Sequence, residues 1–504
     1  MQTLTLNKFI LFSVCEILYN QIVISKFNLK EIKMKFIKLS LAASVALGAL
    51  STASFAQPLE EAIKGIDVSG YLRYRYNDDR YDNGNGDVSG SSANHQWRAV
   101  ADFKTPVVNN VALGLGVWYQ NSNNVNHGKG VVDANNGQFA QPGTANAFLG
   151  SGLGSGSDGQ FGVREFYATI TPDSTATTIK LGKQLLDTPV TNAYDGDRGT
   201  GILALNSDIP NLTLAAAAFD SWAINEVNVN NNNGVISSAP NIGEETSVDK
   251  PLYALAGIYG IDTNYGRFGG QLWGFYIDDA VDALVFGELS WQGSLLRAKL
   301  QYSYAALNND SDSVFYSLYG NGNTADKPKA NISESNDAFV VEVGADFRNY
   351  YQLPLNVTLG YITNFADGTA VALEDEGSNV SRKGKIWWQN AGTGISTSAL
   401  RGYGVQGFGT EQDIDVFYAG VDYSFIDERL NVGLEFAWGE NDVSRNGARV
   451  EKVEFTEITP TISWKHSKQL TLSTFYAFLN NSYDTVGTPD QDRNRFRVEA
   501  KYSF

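Results

Sequence analysis

Residues 187–198, DTPVTNAYDGDR, gather Asp187, Asp195, Asp197 and Arg198 into one short stretch between two strand-like runs. Fixed carboxylates this close together act on ions electrostatically, and only within a Debye length of about 10 Å at 0.1 M salt. Opposite charge is available on the flanks. Arg73 and Arg75 alternate with Tyr74 and Tyr76 in the run IDVSGYLRYRY, and by the same parity Arg98 joins them as a basic face. Acids on one wall and basic rungs on another create a field across a narrow aqueous gap that orders ions and dipoles. The same stretch also reads as a solvated surface loop with incidental charges.

Catalytic chemistry finds little support. The three histidines, His95, His127 and His466, are not at metal-ligand spacing from one another, and no G-x-S-x-G elbow occurs. Gly402 to Gly407 spells G-x-G-x-x-G, but no helix-opening pattern follows, and the run reads as a glycine-rich loop. Asp82 to Asp87 looks like the start of a calcium loop, yet it lacks the closing glutamate and flanking helices.

Export is written at the N-terminus. Met34 to Lys38 is a short basic start, Leu39 to Leu50 an apolar run, and Ser54-Phe55-Ala56 a small-x-small cleavage pattern. Residues 34–56 therefore read as a secretory signal peptide cut before Gln57, with 1–33, including Cys15, as a mis-called upstream extension. Residues 57–504 then carry 32 basic and 53 acidic groups, a net of −21, with neither Cys nor Met. Disulfides and cysteine-based metal or redox sites are excluded there. So acidic a chain also argues against nucleic acid, whose binding needs Lys and Arg on phosphates. Cations are the favoured partners.

The elements that position these residues are strands. Val68, Gly70, Leu72, Tyr74 and Tyr76 share one face of the first, and Phe496, Val498, Ala500, Tyr502 and Phe504 share one face of the last, opposite Arg495, Arg497, Glu499 and Lys501. Between 66–76 and 494–504 lie sixteen more strand-like runs. Most have the roughly 9–11 residues that a tilted strand needs to cross a bilayer. Short connections (105–110, 207–211, 261–266, 293–294, 426–429, 465–469) alternate with long ones (77–94, 121–160, 222–251, 305–336, 365–412), and only 278–281 breaks the rhythm. The expectation is an all-β transmembrane antiparallel barrel of about 18 strands, with short periplasmic turns and long extracellular loops, formed by residues 57–504 as one domain. Within it, Pro460 should mark a bulge or a misplaced boundary. Trp97, Trp118, Trp273, Trp291, Trp438 and Trp464 suit interfacial girdles, and Arg164, sharing parity with Phe166, belongs at the headgroup level or a subunit contact.

Several motifs carry a resemblance. Pro58 to Lys64, followed by Asp67-Val68-Ser69-Gly70 and Arg73 to Tyr76, then Gly182-Lys183-Gln184, Asn192 to Gly196, Gly199-Thr200-Gly201 and Leu212 to Ala216 ending in Phe219-Asp220-Ser221, resemble the Campylobacter major outer-membrane porin family. Beyond about residue 250 the likeness thins to strand pattern and the terminal aromatic. The resemblance implies an eighteen-stranded, homotrimeric, weakly cation-selective porin of the bacterial outer membrane, with loops folded into the lumen. It would pass ions and small hydrophilic solutes by passive diffusion, without catalysis or a required cofactor. In that family the segment 187–198 bends into the pore as part of the constriction. The family is sometimes associated with calcium, for which Asp195 is the residue to test. Phe504 becomes a signal to the barrel-assembly machinery, and lipids and lipopolysaccharide become the surroundings. A substrate-specific channel of the same fold stays open through Tyr71, Arg73 and Arg75, as does a surface adhesin or structural barrel through the long loops at 121–160 and 365–412.

Overall fold

The structure is a computed structural model that describes residues 65–82, 92–125, 160–191, 193–194, 196–223, 251–278, 281–308, 334–368, 380–389, 411–445, 448–484 and 490–504. Eighteen strands form among them. The first nine are β1 (Asp67–Asp82), β2 (Ser92–Lys104), β3 (Val111–Val125), β4 (Gln160–Ile170), β5 (Thr177–Leu185), β6 (Arg198–Asn206), β7 (Leu212–Ala223), β8 (Leu252–Thr263) and β9 (Gly266–Ile277). The rest are β10 (Val281–Gln292), β11 (Leu296–Leu307), β12 (Ser335–Asp346), β13 (Leu355–Thr363), β14 (Glu411–Phe425), β15 (Leu430–Arg445), β16 (Ala448–Lys465), β17 (Leu470–Tyr483) and β18 (Gln491–Ser503). Each pairs antiparallel with its sequence neighbours, and β1 also pairs with β18, so the sheet closes into a barrel. Closure suits a strand protein in hydrocarbon, where an unpaired backbone N–H or C=O costs several kcal/mol. Among the described residues no helix is long and apolar enough to cross a membrane.

Alternation sorts the side chains. On β1, Leu72 is 53% exposed on the outer face while Arg73 is 4% exposed on the inner one. Leu255, Leu272 and Leu289 stand out on the same outer surface, where lipid tails replace water. The short connections are tightly built. Asn109, Asn110 and Asn211 take positive φ at their turns, a conformation that Asn tolerates better than most residues. The β12–β13 connection holds one helical turn, α1 (Arg348–Tyr351). At 207–211, Asp208 accepts from Thr175, Asn206 and the Ala176 N–H, and these hydrogen bonds hold its carboxyl below the usual carboxylate range.

Four expectations change. Strands run further toward the long-loop end than hydropathy implies. β1 continues through Asn77-Asp78-Asp79 to Asp82, and β15 and β16 extend across most of 440–449, because ladder hydrogen bonds form whether side chains are apolar or not. The connection between β15 and β16 is therefore a second short one at that end, beside the one between β9 and β10. Pro460 marks neither a bulge nor a boundary: β16 stays in register with β17 on both sides, Ile458 opposite Phe478 and Thr461 opposite Phe475, and the proline lies at the gap in the ladder between them. Trp118 and Trp273 face inward, not toward an interface; Trp118 is 3% exposed, and Trp273 stacks on the buried Phe275.

Arg164 also moves. A register shift between β3 and β4 at Gly116/Val117 leaves it as an extra residue, and it turns inward to within 3.6 Å of Asp102. One bulge thus reverses the parity on which its outward placement rested.

The seam is finished by the last residue. The Phe504 N–H donates to the Gly70 carbonyl and the Gly70 N–H to the Phe504 carbonyl, both at 3.1 Å. Deleting Phe504 removes both bonds, so the purified barrel should lose about 1–3 kcal/mol. The measurement is the temperature at which its heat-modifiable form disappears on gels, and an unchanged temperature contradicts the pairing.

Candidate functional site

Three adjoining strands bring cations into a row. Arg73 on β1 lies directly opposite Lys501 on β18 and Arg98 on β2. Like charges facing each other across a sheet destabilise it, so this row requires a cover. The rungs beside it find acceptors on neighbouring strands. Arg75 pairs with Glu499 at 2.6 Å, and Asp79 receives both Arg493 and Arg495 at 2.9 Å. Arg497 donates to Asn77 at 2.6 Å.

The cover comes from the segment between β5 and β6. Its base is closed by the Leu186 N–H donating to the Asp197 carbonyl at 2.8 Å, and Thr191 Oγ1 donates to the Leu186 carbonyl at 2.6 Å. Leu186 and Val190 are buried against the inner apolar cluster that includes Phe219 and Trp222. So anchored, the segment lays Tyr194 on the cation row. Arg73 donates to the Tyr194 hydroxyl at 2.9 Å and Arg98 to its carbonyl at 3.1 Å. Arg73, Arg98 and Lys501 lie 5.6, 5.7 and 5.0 Å from the ring centroid, and Tyr71 stacks on the same ring. Cation–π contacts are worth about 0.5–1 kcal/mol at exposed sites and about 2 when desolvated. Gly196 fixes the approach: at φ +99° it presses so near Trp118 that a Cβ would meet the indole at 2.2 Å.

An inward-folded segment seated on a charged inner wall of a closed barrel is the arrangement of a channel. The sequence matches the family described as Campylobacter major outer membrane protein over residues 34–502. The chain belongs to that family. Family and fold together are those of an outer-membrane porin-like barrel, and they point to a channel rather than an enzyme.

Solved porins agree in architecture. OccAB1 of Acinetobacter baumannii is similar with a TM-score of 0.55 at 15% identity, covering 87% of this chain and 97% of that one. A BenF-like porin from Pseudomonas fluorescens gives 0.55 at 14%, covering 88% and 99%. Pseudomonas aeruginosa OpdK, solved with vanillate, gives 0.53 at 13%, covering 87% and 99%. At such identities the likeness is one of fold. No curated protein matches the sequence.

The site residues expected from this family member's sequence fall as follows. Arg73, Arg75 and Arg98 line the inner wall, nearly covered. Asp187 is exposed, Asp197 is buried, and Arg198 donates to the Gly196 carbonyl at 3.1 Å with its guanidinium 6.0 Å from the Trp118 ring. Asp195 lies outside the described residues, as do the Gly402 to Gly407 run and, of the Asp82 to Asp87 run, all but Asp82. Among the described residues no three His, Cys, Asp or Glu gather as a metal cluster. Sequence reasoning passed over Tyr194 and Lys501. Lys501 was legible by parity with Glu499; nothing in the residue types marked Tyr194 as the cap.

Tyr194→Phe should cost about 1–2 kcal/mol, the hydroxyl bond to Arg73 alone, and Tyr194→Ala more, because the ring over three cations goes too. Thermal melting of the detergent-solubilised barrel by circular dichroism checks the order. Equal melting of the two variants contradicts it.

Proposed function

We propose that this outer-membrane barrel is a water-filled channel for passive diffusion of ions and small hydrophilic solutes, weakly cation-selective, with no catalytic role. The observation that carries this reading is the seating of Tyr194 on the β18–β1–β2 wall, which ties the segment that also holds Asp187 and Asp197 to a basic inner face. Cation preference follows from which charges meet water. Glu499 neutralises Arg75, Asp79 offsets one of the two charges of Arg493 and Arg495, and Arg73 and Arg98 are covered, whereas Asp187 stays open to water. With Asp195, Asp197 and Arg198 it forms the constriction in this proposal, and Arg73, Arg75 and Arg98 form the facing wall.

A second reading is favoured by the cation row itself. Lys501, Arg73 and Arg98 around Tyr71 and Tyr194 suit a small anionic aromatic solute, and the similar barrel of OpdK was solved with vanillate. It makes this a substrate-specific channel, and its electrical signature is the reverse.

The proposal has further parts. Residues 34–56 act as a cleaved signal peptide and 1–33 are not translated; the family match beginning at residue 34 supports this. The barrel works as a homotrimer among outer-membrane lipids and lipopolysaccharide. Phe504, an exposed terminal aromatic, signals to the assembly machinery.

Planar-bilayer recordings in a KCl gradient decide between the readings. Diffusion with cation preference gives a reversal potential of cationic sign that moves toward zero in Asp187→Asn and Asp195→Asn, and it shrinks at 1 M salt, where the Debye length is about 3 Å. An anionic sign, with vanillate blocking the current, supports the substrate-specific reading instead.

A further inference from the structure

We propose that Glu457 is the positioning residue of a second constriction element, residues 380–389, folded into the barrel from the β13–β14 connection. This rests on the channel reading above but uses different residues and a different arc of the wall.

The inner face over β8 to β17 carries a continuous apolar cluster, unlike the charged arc at β18–β1–β2, with a few polar side chains such as Glu435 and Glu457 set among it. Leu252, Phe275, Leu284, Phe286, Ile362, Val416 and Phe455 all point inward and are at most 5% exposed. Such a face would be unfavourable against lumenal water. Residues 380–389 bring apolar cover to it: Val380, Ile386 and Trp387 are buried in the same cluster, and the Trp387 ring stacks on Phe455 at 5.5 Å.

Apolar contact alone does not fix a segment's position; directed bonds do. The Glu457 side chain projects from β16 and is 0% exposed. Its carboxylate accepts the backbone N–H of Lys385, of Ile386 at 3.0 Å and of Trp387 at 2.8 Å, and also the Thr459 hydroxyl at 2.6 Å. Three successive backbone donors converging on one carboxylate form an anion-binding nest, here filled by the protein's own wall. Glu435 on β15 adds the Gly384 N–H at 2.9 Å and the Lys385 ammonium at 2.8 Å. Gln301 on β11 accepts the Ser381 N–H at 2.8 Å. The segment is thus tied to the wall from β11 to β16.

Gly384 adopts φ +91°, where a Cβ would stand 2.6 Å from the Trp387 ring, so the bend toward Glu457 is available to glycine and strained for other residues. Arg382 stacks 4.1 Å over Trp388. A buried carboxylate satisfied by these N–H groups loses them when the segment leaves, and the N–H groups lose their acceptor. Each therefore holds the other in place, and the lumen stays narrowed on that side.

The experiment uses the full mature chain, refolded and checked for heat-modifiable mobility, in two variants. Glu457→Ala removes the anchor; replacing 380–389 by a Gly-Ser run of equal length removes the element while leaving every strand untouched. Trypsin sensitivity at Arg382, Lys383 and Lys385 reports seating independently of conduction, and single-channel recording reports constriction. Expected are a resistant wild type, a Glu457→Ala barrel cut at those sites, and conductance raised at least twofold in both variants. Resistance in Glu457→Ala overturns the positioning role. Unchanged conductance in the Gly-Ser variant overturns the constriction, whatever happens to Glu457→Ala. A wild type that conducts nothing overturns the channel reading instead, and the trypsin result still decides whether Glu457 positions the segment.

Discussion

Closure of the ladder is the constraint on which everything else depends. In hydrocarbon a strand has no solvent to satisfy its edge, so each of the eighteen must be paired on both sides. Once that is met, the two-residue period of a strand becomes an inside/outside code for the whole chain. A single extra residue rewrites the code locally, as the β3–β4 bulge does for Arg164. A residue that merely fails to donate does not. Pro460 leaves a gap facing β17 and keeps Leu434 as its partner on β15, so the inward and outward sets on either side are preserved.

That code explains which features the sequence disclosed. Arg73, Arg75 and Arg98 were readable as one face because alternation is local, and strand number followed from the spacing of turn-rich segments. Strand ends were not readable, since Asn77 to Asp82 pair as readily as apolar residues do. Tyr194 and residues 380–389 were hidden for a different reason. Their roles come from contacts between parts of the chain far apart in sequence: Tyr194 lies 121 residues from Arg73, and Trp387 lies 70 from Glu457. In the sequence, Trp387-Trp388 is simply an apolar pair in a long connection. Only the enclosure of the barrel reveals what such a pair would cover.

The two inward segments solve one problem with unlike physics. Residues 186–197 bring an aromatic ring to an excess of cations, while 380–389 bring bare backbone donors to carboxylates and indoles to an apolar face. Both turn on a glycine at positive φ pressed against a tryptophan, Gly196 on Trp118 and Gly384 on Trp387. In each case a side chain at that position would push the segment off the wall.

The seam between β1 and β18 bears on the order of events in biogenesis. Arg75 and Glu499 are 424 residues apart, and the cation row takes Lys501 from one end of the barrel domain and Arg73 with Arg98 from the other. No partly made chain can assemble that row, because Lys501 has yet to arrive. Non-local pairing of this kind is slow, and the strands must wait unpaired with their apolar faces open. The barrel therefore closes only once its whole length is available, and its most highly charged wall is the last part of the protein to come into existence.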